Sequence, residues 1–253
     1  MMNEILKLNK VSKSFGNFKL KEISLEIKEK EIVAFLGPNG AGKTTLIKLI
    51  MNGLKKEKGE IIFLGESIKQ NDVNYRKYIG YMPETGTPYE FLSAREYLEF
   101  LMGVYGIKRS KMNEKIKEVL SIFNLKDDKK HIQTYSKGMK QKVLFLGAII
   151  HNPKLLILDE PFNAIEPQTA MLMKNVLHQL KKGGSCIIFS SHILEIVEKL
   201  ADKVILINNG EKVGEGSISS IKESGGLEEF FKNLTKTYHL DENTEKIIDV
   251  IKS

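Results

Sequence analysis

Apolar and polar positions change rhythm several times along this chain, and each change marks a different kind of element. Ile5, Leu6 and Leu8 lead to Val11, after which Ile23, Leu25 and Ile27 alternate with polar residues. Alternation with a period of two puts every second side chain on one face, so these stretches predict half-buried strands at a sheet edge. The apolar run Ile32-Val33-Ala34-Phe35-Leu36 predicts another strand, and Leu46-Ile47-Lys48-Leu49-Ile50-Met51 reads as a helix. Further strands are expected at Glu60-Ile61-Ile62-Phe63-Leu64 and at Tyr78-Ile79-Gly80-Tyr81-Met82. From about Ser93 to Ile150 the period lengthens to that of a helix. Leu98, Leu101 and Met102 share one helical face, and Ile116, Val119, Leu120 and Phe123 share the next. A helical block between strands predicts a subdomain of about residues 85–152 inserted into an α/β fold.

Strand character then returns. Lys154-Leu155-Leu156-Ile157-Leu158-Asp159 and Ser185-Cys186-Ile187-Ile188-Phe189-Ser190 are nearly continuous apolar runs, the pattern of strands buried on both faces of a parallel sheet. The helix-like stretch from Pro167 to Leu180 lies between them and makes a βαβ unit. Val204-Ile205-Leu206-Ile207 and Lys212-Val213 flank Asn208-Asn209-Gly210, a hairpin signal. After Gly216 a separate, polar, helical tail is expected, which divides the chain into a main domain over 1–217 and a tail over 218–253. No internal repeat or low-complexity tract interrupts this order.

A length of 253 residues with 42% hydrophobic content suits one large domain, or a domain with a small appendage. No apolar run approaches the roughly 18 residues that would span a bilayer. Met1-Met2-Asn3-Glu4 lacks the charged-then-apolar order of a secretory signal, so a soluble, cytoplasmic protein is expected. Thirty-nine Lys+Arg against 32 Asp+Glu give a net charge of +7, a balance that suits nucleic acid or an anionic membrane face. The lysines are scattered and often stand beside glutamates, as in Lys28-Glu29-Lys30-Glu31, which favours a solvated surface instead. The lone Cys186 can form neither an internal disulfide nor a metal cluster, and reads as a small core residue.

The chemistry begins at Gly37-Pro38-Asn39-Gly40-Ala41-Gly42-Lys43-Thr44-Thr45, a full match to the phosphate-binding loop G-x-x-x-x-G-K-[ST]. Glycines let the backbone wrap a phosphate closely, and successive N–H groups point inward with the positive end of the following helix behind them. Lys43 is placed to reach the β- and γ-phosphates, and the Thr44 hydroxyl to ligate Mg²⁺. A nucleoside triphosphate is the expected ligand. Asp159 and Glu160 stand at the C-terminal end of a predicted buried strand, the edge where open α/β sheets bind ligands. Asp159 is placed to hold Mg²⁺ directly or through water, and Glu160 to polarise an attacking water as general base. The plainer reading of that pair is a helix cap.

Two further stretches narrow the reading. Tyr135-Ser136-Lys137-Gly138-Met139-Lys140-Gln141-Lys142 precedes a helix-like segment, and Ser136 and Gly138 can offer hydroxyl and N–H groups to a phosphate. Ser190-Ser191-His192 ends the next strand, where His192 can contact a γ-phosphate. In this order and spacing, from about Ile5 to Gly216, the motifs resemble the ATP-binding cassette family, the engines of ABC transporters.

That resemblance implies a P-loop core with an antiparallel β-subdomain and the helical insertion. It also implies Phe15 stacked on adenine, Glu84 at the glutamine-loop position as a metal and water ligand, and His192 as the switch histidine. Tyr135 to Met139 corresponds to the signature that caps the ATP of an opposite subunit, and Asn163-Ala164-Ile165-Glu166 to the loop linking two sites. The chain departs from the pattern at Glu84 for glutamine, Lys137 and Met139 for glycine and glutamine, and Glu166 for aspartate. Tyr-Ser-Lys-Gly-Met, Tyr-Met-Pro-Glu and Leu227 to Thr235 resemble the drug- and bacteriocin-export branch. The implied assembly is a dimer, with itself or a relative, that sandwiches two ATP molecules and docks near Glu84 on a transmembrane permease at the inner membrane face. A soluble cassette ATPase acting on ribosomes or nucleic acid is the alternative. Translation-factor relatives carry two cassettes and repair relatives carry long insertions; neither is present here, so no nucleic-acid partner is expected.

Overall fold

The computed structural model describes residues 4–86, 88–163, 165–235 and 250. In chain order its strands are β1 (Glu4–Phe15), β2 (Phe18–Lys28), β3 (Ile32–Leu36), β4 (Lys58–Phe63), β5 (Glu66–Ser67), β6 (Ile79–Met82), β7 (Leu155–Leu158), β8 (Cys186–Ser191), β9 (Lys203–Asn208) and β10 (Glu211–Ser217). They form a four-stranded antiparallel sheet, ordered β2-β1-β4-β5, and a six-stranded sheet, ordered β10-β9-β3-β8-β7-β6. In the larger sheet β9, β3, β8, β7 and β6 run parallel, and β10 returns antiparallel on β9 through the Asn209-Gly210 hairpin.

The smaller sheet holds both strands expected from alternation, with Leu6 opposite Ile27 and Leu8 opposite Leu25. β2 stands at the edge as expected, whereas β1 is an inner strand paired on both sides, with β2 and β4. Register shifts between Glu4 and Leu6 let the consecutive Ile5 and Leu6 both become buried, which strict alternation would forbid. The larger sheet is apolar on both faces, and its runs sort by parity. Ile32, Ala34, Leu36, Leu156, Leu158, Ile187, Phe189, Val204 and Leu206 join one core cluster. Val33, Phe35, Leu155, Ile157, Cys186, Ile188, Ile205 and Ile207 join the other. Continuous apolar runs are thus two period-two patterns superposed. Cys186 is a fully buried core residue whose thiol burial pushes upward, so it stays protonated.

On the face of Val33 lie the smaller sheet and α1 (Lys43–Ile50), which buries Leu46, Ile47, Leu49 and Ile50. On the opposite face are α2 (Ala94–Val104), α3 (Met112–Ile122), α4 (Lys137–Ile149), α5 (Pro167–Lys182) and α6 (Leu194–Leu200). α2 begins at a capping box in which Ser93 Oγ accepts from Glu96 N and the Glu96 carboxylate accepts from Ser93 N at 2.8 Å. α4 reaches β6 closely because Gly80 has no side chain: a Cβ there would lie 2.0 Å from the Ala148 carbonyl oxygen.

The helical block is joined to the sheet by aromatic stacking as well. Tyr105, just past α2, stacks on His151, just past α4, with ring centroids 3.6 Å apart and planes 2° from parallel. His151 Nε2 donates to the Ile79 carbonyl at 3.2 Å, and burial holds its pKa down at about 4.

The segment after Gly216 forms α7 (Ile218–Glu223) and α8 (Leu227–Thr235). Its polar sequence predicts separation, yet Ile218, Ile221 and Leu227 enter the same core as the sheet, with Phe230 and Leu234 packed against it. Isolated apolar residues at helical spacing are enough to dock a helix whose other faces are charged. Residues 236–249 and 251–253 of the expected tail lie outside the described residues, as does Ala164 of the linking loop. Among the described residues no helix is long and apolar enough to cross a membrane.

Candidate active site

The loop 37–42 leaves the C-terminal end of β3, an inner strand between β9 and β8, and feeds directly into α1. Gly42 caps α1 with φ of 111°, in the left-handed region that glycine enters without strain. Gly37 packs against β9, where a Cβ would meet the Ile207 carbonyl oxygen at 2.1 Å. The hairpin then fixes the loop from outside: Gly210 N donates to Ala41 O at 2.9 Å, and Lys21 N to Gly210 O at 2.8 Å. A cavity of about 380 Å³ opens over this loop, lined by Asn39 to Thr45 with Phe18, Glu84 and Glu160.

Inside it, Lys43 is nearly enclosed. Its Nζ donates to Gly37 O at 2.7 Å and Pro38 O at 3.2 Å, and lies 3.5 Å from Glu160 Oε1. Thr44 Oγ1 donates to Asp159 Oδ2 at 2.8 Å across 115 residues of sequence. The parallel order makes this possible, because β3, β6, β7 and β8 all end on one edge and deliver the loop, Glu84, Asp159-Glu160 and His192 there. His192 Nδ1 stands 3.1 Å from Glu160 Oε2. Glu160 Oε1 is buried and has no hydrogen-bond partner, a polar atom left for something else to contact. Tyr81 is pushed up to about 12, by burial first and the Asp159 charge second, and stays neutral.

One residue of this cluster escaped the sequence reading. Ser190, fully buried in β8, accepts from Glu160 N at 2.8 Å and donates to Asp159 Oδ1 at 2.5 Å. Its only sequence signal is a hydroxyl on a strand position whose neighbours on that face, Cys186 and Ile188, are core residues.

Other expected site residues lie elsewhere. Phe15 is 40% exposed with the Lys13 ammonium 5.2 Å from its ring centroid, and Phe18 lines the cavity instead. Ser136 caps α4 by accepting from Met139 N at 3.3 Å; it is exposed, and neither it nor Gly138 lines the cavity. Within one chain these two residues are not part of the phosphate site.

A family model described as ABC transporter matches residues 20–163, a span that carries the loop, Glu84, the α4 N-terminus, Asp159 and Glu160. The chain belongs to the ABC transporter family. An uncharacterized ABC transporter ATP-binding protein of Bacillus subtilis, YhaQ, is 35% identical over 233 residues, covering 91% of this chain and 76% of its own. The ABC-type transporter ATP-binding protein EcsA of the same organism is 34% identical over 223 residues, 86% of this chain and 90% of its own. Among solved structures, one described as an ATP binding subunit of an ABC transporter superposes with a TM-score of 0.85 at 28% identity, over 91% of this chain and 99% of that one. The two-sheet α/β architecture is therefore the ABC ATPase fold.

This ABC-family site offers hard oxygen donors in the Thr44 hydroxyl and the Asp159 carboxylate, with Glu84 on the cavity wall. Among the described residues no cluster of three or more His, Cys, Asp or Glu could hold a metal alone. Mg²⁺ ordinarily takes one or two protein oxygens and fills its octahedron with water and substrate phosphate, so these residues fit that ion.

Proposed function

We propose that this chain is the ATP-binding subunit of an ABC transporter, hydrolysing Mg²⁺·ATP as one of two paired cassettes. The observation that carries the reading is the meeting of Lys43, Thr44, Asp159, Glu160 and His192 at one sheet edge. The 37–45 loop and the N-terminus of α1 would receive the triphosphate, with Lys43 turning from its carbonyls to the β- and γ-oxygens. Thr44 and Asp159 would hold Mg²⁺, which neutralises charge on the phosphates. Glu160 would accept a proton from the attacking water, oriented by His192, while Glu84 holds that water from the cavity wall. Phe15 would stack on the adenine, its exposure leaving one ring face for the base.

Ser136, exposed, and Gly138, half-buried, lie outside their own chain's cavity and would complete the site of a second cassette. Glu166 would stand on the loop between the two sites. A groove of about 710 Å³ beside the helical block, lined by Tyr89, Phe91 and Phe100, supports docking of a permease segment there. Export of a drug-like or peptide cargo is the finer reading, supported by the Tyr135–Met139 and Tyr81–Glu84 variants. On it the chain sits at the inner face of the cell membrane through its permease.

Lys43→Ala tests the phosphate site. The triphosphate loses its loop cation while the backbone cradle remains, so affinity for a fluorescent ATP analogue should fall at least tenfold. Unchanged affinity would mean that the loop does not bind phosphate.

A further inference from the structure

Ser190 sits where the parity of β8 calls for an apolar side chain, alongside Cys186 and Ile188 on a face that is wholly core. A hydroxyl buried there is costly unless its hydrogen-bonding capacity is used. Here both directions are used, and both go to the adjacent carboxylate residues of β7's end. Ser190 Oγ accepts the Glu160 backbone N–H at 2.8 Å and donates to Asp159 Oδ1 at 2.5 Å. The second Asp159 oxygen accepts from Thr44 at 2.8 Å, so the carboxylate is fixed at both ends.

Glu160 itself has φ of 47°, a left-handed conformation that a side chain disfavours. That twist brings its side chain 3.5 Å from Lys43 and 3.1 Å from His192. The bond from Glu160 N to Ser190 is a contact that holds the twist in place.

We propose that Ser190 is a positioning residue of the hydrolytic site: one hydroxyl sets the Asp159 carboxylate toward Thr44 and locks Glu160 in the backbone twist that aims its carboxylate. The inference rests on the ATPase reading above, but its consequence for metal linkage does not need turnover. Removing the hydroxyl frees Asp159 Oδ1 to rotate and leaves a buried N–H on Glu160 without an acceptor. The Glu160 backbone then relaxes, and its side chain leaves Lys43 and His192. The phosphate loop and Lys43 are untouched.

The test uses the full chain, Ser190→Ala, and Ser191→Ala as control, since the Ser191 hydroxyl accepts instead from Ile193 N at 3.0 Å. Affinity for a fluorescent ATP analogue is measured with Mg²⁺ and with chelator, alongside kcat and the thermal midpoint. Ser190→Ala should keep metal-free affinity within about twofold and lose roughly tenfold of the tightening given by Mg²⁺. Its kcat should fall roughly 10–100-fold, the range for losing a hydrogen bond to a charged group. Ser191→Ala should keep the Mg²⁺ tightening. A merely structural serine would lower the thermal midpoint and leave the Mg²⁺ tightening intact, and that result overturns the proposal. Equal loss in both variants overturns it too. A wild-type chain that binds nucleotide without hydrolysing it would sink the ATPase reading, while the Mg²⁺ linkage would still decide the role of Ser190.

Discussion

Glu160 is held from several sides while one of its own oxygens is left without a hydrogen bond. Its N–H goes to Ser190 and its Oε2 meets His192, yet Oε1 has only the Lys43 charge 3.5 Å away. An anion arriving at Lys43 would draw that charge off and leave Oε1 facing the cavity, as a general base must. Glu160→Gln keeps size and polarity, so Mg²⁺·ATP binding should persist while single-turnover hydrolysis falls roughly 10²–10⁴-fold, the usual contribution of a positioned base. Hydrolysis within twofold of wild type would remove Glu160 from that role. Lys43, Thr44, Asp159, Glu160 and His192 were legible because each stands in a local motif whose spacing has a chemical reason. Ser190 was not, because a serine near a strand end has no signature until the partner strand is in place. Phe18, which lines the cavity over the glycine-rich loop, went unread for a similar reason. Phe15 and Phe18 flank one tight turn, and only the fold decides which ring faces the loop.

At the level of elements, the runs 155–158 and 186–191 were readable as parallel strands because nothing but two-sided burial explains them. The docking of α7 and α8 was not readable, since the few apolar residues that enter the core are diluted by charge. The junction between helical block and sheet was also hidden. It rests on Tyr105 stacked on His151 and on Lys115 Nζ reaching the Ile150 carbonyl at 2.5 Å, contacts between residues with no shared motif. Burial lowers both His151, to about 4, and Lys115, and the nearby ammonium lowers His151 further. A histidine whose folded pKa lies below its unfolded value of about 6.5 stabilises the fold fully above that pH. Between about pH 6.5 and 4 the unfolded chain takes up the proton first, so stability falls as pH falls. Discounted for the part of the ring that solvent reaches, the loss is about 1–2 kcal/mol. His151→Phe retains the stack and removes the titration. Urea unfolding at pH 7 and pH 5 should show a smaller drop for the variant than for wild type, and equal drops would take His151 out of the junction's pH response.

Across the whole molecule, one feature supports the proposed pairing of two copies: Ser136 and Gly138 stand at the N-terminus of α4 and do not line the cavity over α1. A helix N-terminus with free donors attracts anions, so this chain carries two phosphate-seeking ends that its own fold does not bring together. Pairing two copies would set the α4 end of one over the α1 end of the other. Without nucleotide that arrangement opposes like partial charges, and each chain adds a net charge of +7. On the proposed reading a triphosphate between them would reverse the sign of the interaction, and the γ-phosphate would be the group that both ends share. Glu160→Gln isolates this effect, because it preserves the γ-phosphate while leaving Lys43, Ser136 and Gly138 intact. Light scattering should report a monomer without nucleotide, a dimer with Mg²⁺·ATP, and a monomer again with Mg²⁺·ADP. Ser136→Glu in the same background places a carboxylate against the partner's phosphates and should abolish the ATP-dependent dimer while ATP still binds each monomer. A Glu160→Gln chain that stays monomeric at high protein and ATP concentration, or that pairs equally well in ADP, would show that the γ-phosphate does not bridge two copies.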